Sequence, residues 1–437
     1  MTSYPAPARA FSLSAPVRLW DEGFAADPHG RYEALRAQGP VGWGELAPGE
    51  PAYIVTDRRA ALDILHDPDT WLHDSREWES TAAPDSPILS MLKWRPNPLF
   101  NDGAAHRRYR TALVDGFDLV EPHDLRERVH RAVDLLVGGF GPAGGADLVD
   151  DFARPLMTLI FNNLFGLPDS ESARLHNSIG RLMEGGDEAA AGEAEYGRYV
   201  TELVTAKTLK RGDDLTSWLI DHPADLAYEE VVWQVFLTMA AGHEPTANLV
   251  ANALSRMLGN PSYYSTLTSG SRPVMDAVLE VLRHETPLAN YGILYARESL
   301  SFHGVWVRKA VPVIVSYGAV GYFSEQDAAD VPHHPHDASH LSWGAGAHKC
   351  PVKQHALLIA TEAIERITQW LPDLELLTPR DQLTWRPGPF LRALRSLPVR
   401  FTPRTPDTAV ATPHRSQVAG ISRPPTTPEK SGDPAAG

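Results

Sequence analysis

The only cysteine of the chain, Cys350, lies in the stretch 341–352, which reads LSWGAGAHKCPV. Chemistry that needs a thiolate must therefore occur there. Glycines at positions 344 and 346 permit a tight turn, and Pro351 suits the first turn of a helix, which we predict to reach about Leu371. This would put Cys350 at a helix N-terminus, where unpaired N–H groups and the helix dipole favour the thiolate. A lone cysteine can equally be a small buried apolar residue, so its neighbours decide between the two.

Composition narrows the class of protein. The 437 residues are 43% hydrophobic, which is enough for a large core, and a single cysteine excludes an intramolecular disulfide. The first 19 residues contain no apolar run as long as a signal peptide or a membrane anchor needs, so we expect a cytoplasmic protein without a membrane association. The net charge of −15 argues against nucleic acid as a partner, because phosphate binding requires a basic surface.

The two ends of the chain differ in composition from its middle. Residues 1–18 are predicted to form a flexible arm, and residues 403–437, rich in Pro, Thr, Ser and Ala without periodicity, a disordered tail. Residues 19–402 contain mostly helical patterns with a few short strand-like runs, and this length could hold two or three average domains, although single domains of this size occur. The predicted helices cover 27–36, 58–66, a helix that opens at 101, 126–137, 152–165, two helices within 170–210, 228–258 and 276–284. The predicted strands cover 41–45, 52–55, 289–296, 301–307 and 311–317.

A long irregular segment, residues 67–100, contains five prolines together with Trp71, Trp78, Met91 and Trp94. A loop of this length in a compact domain is usually functional or disordered, and its aromatic content argues against disorder. The segment is therefore predicted either to cover a substrate or to pack as a structural lid.

Two residues on one predicted helix, His106 and Arg110, stand four positions apart, so they share a face and can hold one anionic group. Taken alone, this is an ordinary basic helix face. The stretch 139–144 (GFGPAG) has the spelling of a dinucleotide fingerprint but follows a helix and contains a proline, so we predict no nucleotide site there. Histidines at 333, 334, 336 and 340 could bind a metal ion, but their irregular spacing favours a solvated loop.

The longest predicted helix, 228–258, contains the stretch 240–246 (AAGHEPT). An internal glycine and proline conflict with an apolar helix, and such conflicts tend to occur at functional sites. On the helix 276–284, Glu280 and Arg283 stand three positions apart and can form an ion pair, although this pattern is common by chance. Neither pattern identifies a function by itself.

Taken together, these motifs resemble the cytochrome P450 monooxygenases. The stretch around Cys350 matches the haem-ligating loop of that family, with an aromatic residue seven positions before the cysteine, a glycine four before and a histidine two before. In the family, the cysteine thiolate is the proximal iron ligand and favours cleavage of the O–O bond. The other motifs follow in the family's order, so the resemblance covers about residues 20–402.

The resemblance implies the P450 fold, a single mostly α-helical domain with small β-sheets over residues 19–402. Haem b would lie between the helix 228–258 and the Cys350 loop, and the resemblance assigns roles to residues. The haem contacts would be His106, Arg110, Arg297, His348 and Cys350, the first three at the propionates. The distal groove that holds dioxygen would be formed by Ala241, Gly242, Glu244, Pro245 and Thr246. A structural ion pair would join Glu280 and Arg283. The substrate pocket would be lined by Met91, Trp94, Leu237, Ala289, Asn290 and Leu391.

Two departures from the family pattern concern the haem surroundings. Val352 replaces the glycine that usually follows the cysteine by two residues, and it would crowd the start of the helix. Residues 325–340 contain no arginine, although the family places one there to complete the network of Glu280 and Arg283.

A third departure is Pro245, which stands where the family usually has a threonine that relays protons. Proline has no hydroxyl and donates no N–H to the carbonyl of Ala241. Thr246 is rotated by about 100° along the helix, so we expect that it does not substitute. Protons would arrive through a water at the Ala241 carbonyl, through Glu244, or through a polar group of the substrate.

The resemblance implies an enzyme that activates dioxygen to hydroxylate or oxidatively couple a small organic molecule, for which an aromatic or peptide-derived bacterial metabolite is one class. It also implies a ferredoxin-type electron donor, because no reductase domain or nucleotide site is evident. A cationic patch of Arg107, Arg108, Lys349 and Lys353 is predicted to dock that donor. The alternative is a haem-binding sensor or scaffold with little turnover, which the changes at Pro245 and Val352 leave open.

Overall fold

Helices make up most of the chain in the part that the computed structural model describes, which is residues 15–168, 172–184, 188–260, 264–265, 273–321 and 340–404. They are α1 (Glu22–Ala26), α2 (Pro28–Arg36), α3 (Arg58–Leu65), α4 (Arg76–Glu79), α5 (Leu89–Leu92), α6 (Gly103–Phe117), α7 (Pro122–Phe140), α8 (Arg154–Phe165), α9 (Ser172–Glu184), α10 (Ala189–Leu209), α11 (Leu215–Ile220), α12 (Tyr228–Leu258), α13 (Val274–His284), α14 (Tyr317–Gly321) and α15 (Lys353–Trp370). Within these residues, no helix has the length and apolar character to cross a membrane.

Short strands form three small sheets. They are β1 (Val17–Arg18), β2 (Val41–Ala47), β3 (Glu50–Val55), β4 (Trp71–Leu72), β5 (Gly145–Asp147), β6 (Gly292–Ala296), β7 (Leu300–Phe302), β8 (Val305–Val307), β9 (Val313–Val315), β10 (Glu375–Leu376) and β11 (Pro398–Arg400). The largest sheet has the order β1-β2-β3-β9-β6-β4, the second β10-β11-β5, and the third is the hairpin β7-β8. The predicted hairpin of β2 and β3 is confirmed, with Val41 opposite Val55, as is the mostly α-helical class with small sheets.

Helix α12 is the centre of the fold. Its N-terminus is closed by Glu230, whose carboxylate accepts the Ala227 N–H at 2.8 Å and complements the helix dipole. Buried residues occur along it from Val231 to Leu258, because α8, α10, α13 and α15 pack around it. The helix continues through Pro245, which has no N–H to donate, so the conflict seen in the sequence is located inside an intact helix.

The turn before Cys350 requires its glycines. Gly344 and Gly346 both have φ of +67°, a region that disfavours side chains, and a β-carbon at Gly346 would collide with the carbonyl oxygen of Leu65. Helix α15 begins at Lys353, later than the predicted start at Pro351. Val352 has φ of −113°, which any residue can adopt, so the glycine of the family pattern is not needed there.

Several strand predictions need correction. Residues 301–307 form the hairpin β7-β8, which reverses at His303 (φ 45°) and Gly304 (φ 79°). Residues 289–296 and 311–317 are extended only over β6 and β9, and α14 begins at Tyr317.

The long segment 67–100 is divided in two. Its first half, with Trp71 and Trp78 only 2% and 5% exposed, packs as a structural layer. Its second half lines the cavity described below. Histidines 333, 334 and 336, most of segment 325–340 and most of the tail 403–437 lie outside the described residues.

Candidate active site

A large cavity lies between α12 and the loop that carries Cys350. It contains about 2030 Å³ of space free of atoms, part of it open to solvent. Helix α12 contributes Ala240, Ala241, Gly242, Pro245, Thr246 and Leu249 to its wall. The loop contributes Trp343, Gly344, His348, Cys350, Pro351 and Val352. Four of the five predicted distal residues therefore share one cavity with the cysteine.

Gly242 allows α12 to pack closely against the ring of Phe161 on α8. A β-carbon at Gly242 would stand 2.5 Å from the ring of Phe161, so α12 and α8 could not pack as they do with any larger residue there. Thr246 also lines the cavity and is 6% exposed. It therefore shares the cavity with the other predicted distal residues, although its side chain does not occupy the position of Pro245.

Cys350 is held by its backbone. Its N–H donates to the Trp343 carbonyl at 2.7 Å, which fixes the turn. Burial raises the pKa of the Cys350 thiol, and it outweighs the backbone of Val352 and the cations Arg110 and Lys353, which act in the opposite direction. In the protein alone, burial therefore acts against the thiolate that the helix start was expected to favour. A metal cation at the sulfur would supply the missing positive charge.

His106 and Arg110 form a cationic edge on the same cavity. His106 is 4% exposed, and its buried Nε2 has no hydrogen-bond partner among the described residues. Burial and then Arg110 lower the pKa of His106 to about 4, so the ring is neutral near pH 7. Arg110 also has no ion pair within the described part, and burial lowers its pKa. A buried donor and a guanidinium without a counter-ion are what an anionic ligand would satisfy.

Sequence reasoning missed a third imidazole at this edge, His73. The ring of His348 lies 3.5 Å from that of His73 and 3.9 Å from that of His106, measured between centroids. Asp102 accepts the His73 backbone N–H at 2.9 Å and lies 3.2 Å from its Nδ1. Burial and then the neighbouring His73 lower the pKa of His348 to about 3. No spacing in the sequence links His73 to the other two rings, so folding alone brings them together.

The same three residues, His73, Asp102 and His348, offer ligand atoms within 4.8 Å of one another, which is close enough for a shared metal ion. The rings of the two histidines are stacked, with 23° between their planes. Ligands to one ion direct their nitrogens to a common point instead. We therefore interpret the group as the edge of the larger cavity.

Arg297 does not belong to this edge, which corrects its predicted role. It is exposed, its Nε donates to the Asp69 carbonyl at 2.8 Å, and it does not line the cavity. The reason is positional, because β6 ends at Ala296 and the next side chain lies at the surface.

Glu244 is fully buried but outside the cavity lining, which corrects its predicted distal role. Its carboxylate is 3.1 Å from Nε of Arg154 and 2.9 Å from Nη2 of Arg386. Burial alone would raise the pKa of Glu244, but Arg386 and Arg154 outweigh it and hold the pKa far below its ordinary value. An anion that is so strongly stabilised, on the other side of α12, is not placed to carry protons into the cavity.

The predicted pair of Glu280 and Arg283 is also altered. Glu280 accepts from Arg256 of α12 at 2.9 Å, so this carboxylate ties α13 to the central helix. Arg256 is further within 3.7 Å of Glu285. The ion pair that the structure gives Glu280 is thus between helices rather than within one.

Of the predicted substrate-pocket residues, Met91 and Leu237 line the cavity. The other four are not among the residues that line it. Trp94 packs under Arg76, 4.9 Å from the ring centroid. Asn290, next to the buried Ala289, accepts a hydrogen bond from Tyr32 at 3.3 Å. Leu391 forms an isolated antiparallel β-bridge with Leu288, and Leu288 itself lines the cavity.

A comparison with protein-family models found no match. Comparison with curated proteins and solved structures found many. The chain is 30% identical over 399 residues to cytochrome P450 107B1 of Saccharopolyspora erythraea. The alignment covers 87% of this chain and 96% of the relative. It is 29% identical over 392 residues to the cytochrome P450 monooxygenase PikC of Streptomyces venezuelae, with 87% and 92% covered.

Solved structures agree with the sequence relatives. CYP154C4 from Streptomyces sp. W2061 superposes with a TM-score of 0.80 at 27% identity, covering 89% of this chain and 98% of that one. CYP154A1 from Streptomyces coelicolor superposes with a TM-score of 0.79 at 25% identity. Because this likeness extends over 87–89% of the chain, and one relative is 30% identical, the chain belongs to the cytochrome P450 family of bacterial monooxygenases.

Proposed function

We propose that this P450 binds haem b between α12 and the Cys350 loop, with Cys350 as the iron ligand and His106, Arg110 and His348 beside the propionates. The observation that carries this is the pair His106 and Arg110, which share a cavity with Cys350. In the described part, the buried Nε2 of His106 has no hydrogen-bond partner and the half-buried guanidinium of Arg110 has no ion pair. His73, stacked on His348, extends the same edge. The cofactor, when bound, supplies the reductive activation of dioxygen.

The substrate is proposed to be a small, mostly apolar organic molecule that is hydroxylated or oxidatively coupled, with an aromatic or peptide-derived bacterial metabolite as a fitting class. Support comes from the cavity wall, where aromatic and aliphatic side chains predominate, among them Met157, Phe161, Leu164, Phe236 and Leu237. Such a wall excludes water and orients an apolar body by shape. A cytoplasmic location and a ferredoxin-type donor are part of the same proposal.

The test begins with the purified, haem-loaded enzyme. Compounds are screened for a change in haem absorption, and the tightest binders are then incubated with an electron donor and dioxygen. We expect at least one binder to yield an oxidised product in proportion to the electrons consumed. Binders that never yield product, at any donor concentration, would favour the sensor or scaffold alternative. No feature of the described residues supports that alternative.

Proton delivery past Pro245 leads to a prediction about efficiency. With Glu244 outside the cavity, the remaining carriers are a water at Ala241, the Thr246 hydroxyl and a polar group on the substrate. We expect the substrate's own group to serve, so the parent should convert the substrate well but release hydrogen peroxide with an analogue that lacks that group. Pro245→Thr should partly restore product formed per electron with that analogue, because it returns a hydroxyl to the position that Pro245 occupies.

The control for that comparison is Thr246→Val. Because Thr246 also lines the cavity, it is the competing carrier on the protein. If Thr246→Val lowers product per electron with the intact substrate, or if the parent couples both compounds equally, the substrate does not deliver the protons.

The donor is proposed to dock beside the Cys350 loop, on Arg107, Lys349 and Lys353. Arg107 and Lys349 are exposed, and each directly follows one of two histidines whose rings are in contact, His106 and His348. Arg108 is removed from the predicted patch, because its guanidinium contacts both carboxylate oxygens of Glu230 at 2.8 Å.

Charge reversal tests this dock. Arg107→Glu with Lys349→Glu should weaken association with an acidic ferredoxin by about tenfold at low salt and flatten the salt dependence, since fewer charges are then screened. The matched control is Arg198→Glu, an exposed arginine on α10, a helix that packs on α9 and α12. The association and its salt dependence are both measured from the rate of haem reduction by stopped-flow absorption. Equal rates and salt slopes for the two variants would place the dock elsewhere.

A further inference from the structure

The cavity wall contains two arginines, Arg95 and Arg110, and no carboxylate or lysine among its described residues. Arg110 is accounted for by the edge it shares with His106, near Cys350. Arg95 comes from a different part of the chain, the segment between α5 and α6, together with the lining residues Ser90 and Asn97. One permanent positive charge of the wall therefore has no role in the site described above.

Arg95 is held rigidly. Its side chain is only 5% exposed, Nη2 donates to the Ser90 carbonyl at 2.6 Å and to Glu193 at 2.7 Å, and Nη1 donates to the Lys93 carbonyl at 3.2 Å. Aromatic rings surround the guanidinium, with centroids at 5.2 Å for Trp233 and 5.4 Å for Phe236. Such packing fixes the plane of the guanidinium and removes water from it.

Two features of Arg95 leave room for a ligand's oxygen. Its buried Nε has no acceptor among the described residues. Glu193, its counter-ion, lies outside the cavity wall and is shared with Lys93, whose Nζ is 2.7 Å from the same carboxylate oxygen. One carboxylate between two cations leaves this group with a net positive charge, and Arg95 is its member that lines the cavity.

We propose that Arg95 anchors an acceptor oxygen of the substrate, so that the substrate class is an apolar molecule bearing a carboxylate or, more weakly, an amide or ketone carbonyl. The remaining wall offers such a molecule aliphatic and aromatic contacts, and it offers no carboxylate for an ammonium group. The inference rests on the proposed function, because it names the substrate class for the same cavity.

The test uses the haem-loaded enzyme and three probes of equal chain length: dodecanoate, dodecanamide and dodecyltrimethylammonium. Isothermal titration calorimetry gives their dissociation constants. We expect the parent to bind dodecanoate most tightly, dodecanamide next and the ammonium least. Arg95→Leu combined with Glu193→Leu, which removes the charge pair without leaving a buried carboxylate alone, should weaken dodecanoate binding by about tenfold to a hundredfold and leave the ammonium unaffected.

Two further variants make the result decisive. Arg76→Leu is the matched control, because Arg76 belongs to the same long segment but is 63% exposed and outside the cavity wall, so it should bind dodecanoate like the parent. Arg95→Lys keeps a positive charge beside Glu193, so it replaces the double variant in the test if that variant does not fold. It should still lose several-fold affinity, because lysine lacks the fixed planar fork of donors.

The outcomes separate this inference from the proposed function. A parent that binds the ammonium as tightly as dodecanoate, or a double variant and an Arg95→Lys variant that both keep parental affinity for dodecanoate, overturns the role of Arg95. Failure of the proposed function is read independently, from the absorption of the reduced carbon monoxide complex, since the heat of probe binding does not depend on the iron ligand.

Discussion

Cys350→His is expected to abolish the red-shifted Soret band of the reduced carbon monoxide complex and to reduce substrate oxidation to background, even if the haem is retained. The reason is electronic. A thiolate donates electron density to the iron and favours O–O cleavage, whereas an imidazole is a neutral, weaker donor. The measurement is the absorption spectrum of the reduced protein with and without carbon monoxide, together with product formation.

Val352→Gly is the matched control for that substitution. It changes the same turn and restores the residue that the family usually has, and the backbone at Val352, with φ of −113°, accommodates either residue. We expect the band to persist in this variant. A parent whose spectrum resembles that of a histidine-ligated globin, or a purified parent without haem, would contradict the assignment of Cys350.

The cysteine turn could be predicted from the sequence because its constraints are local. Glycines with positive φ, a proline and the cysteine lie within eight positions, and each restricts the backbone without reference to the rest of the fold. The mostly helical class followed from apolar spacing for the same reason. By contrast, residues 301–307 were predicted without a turn, although Gly304, with a φ of 79°, marks the reversal between two shorter strands.

Side chains that meet only after folding could not be predicted. His73 and Arg95 come from a proline-rich segment without periodicity. His73 stacks on His348, and Arg95 reaches the cavity wall, only because this segment docks on distant elements. Arg297 was misplaced because one residue beyond a strand end decides which side of the sheet it faces. For Glu244, the helix period was sufficient in principle: residues 241, 242, 245, 246 and 249 share one face of α12, and position 244 lies off that face.

Glu244→Gln is expected to destabilise the haem-loaded enzyme by about 3–5 kcal/mol, because it leaves two nearly buried guanidiniums without their shared counter-ion. Arg154 belongs to α8 and Arg386 to the C-terminal segment, so this carboxylate joins three parts of the chain directly beside Pro245. Chemical denaturation measures the effect. The control is Glu375→Gln, whose ion pair with Arg400 has more than 60% of each side chain exposed and should contribute almost nothing.

The acid dependence of the same variant identifies the charge as the cause. The folded-state pKa of Glu244 lies far below its ordinary value, so its contribution is complete above an unfolded-state pKa of about 4.3 and is lost as the pH falls below it. The stability gap between parent and Glu244→Gln should therefore be constant from pH 7 to about 5 and then narrow by about 1.4 kcal/mol per pH unit. Adding Arg386→Met to the variant should recover part of the loss at pH 7, since it removes one nearly buried cation that has lost its carboxylate. A gap that stays constant down to pH 3.5, with no recovery in the double variant, would mean that Glu244 stabilises the fold by packing rather than by charge.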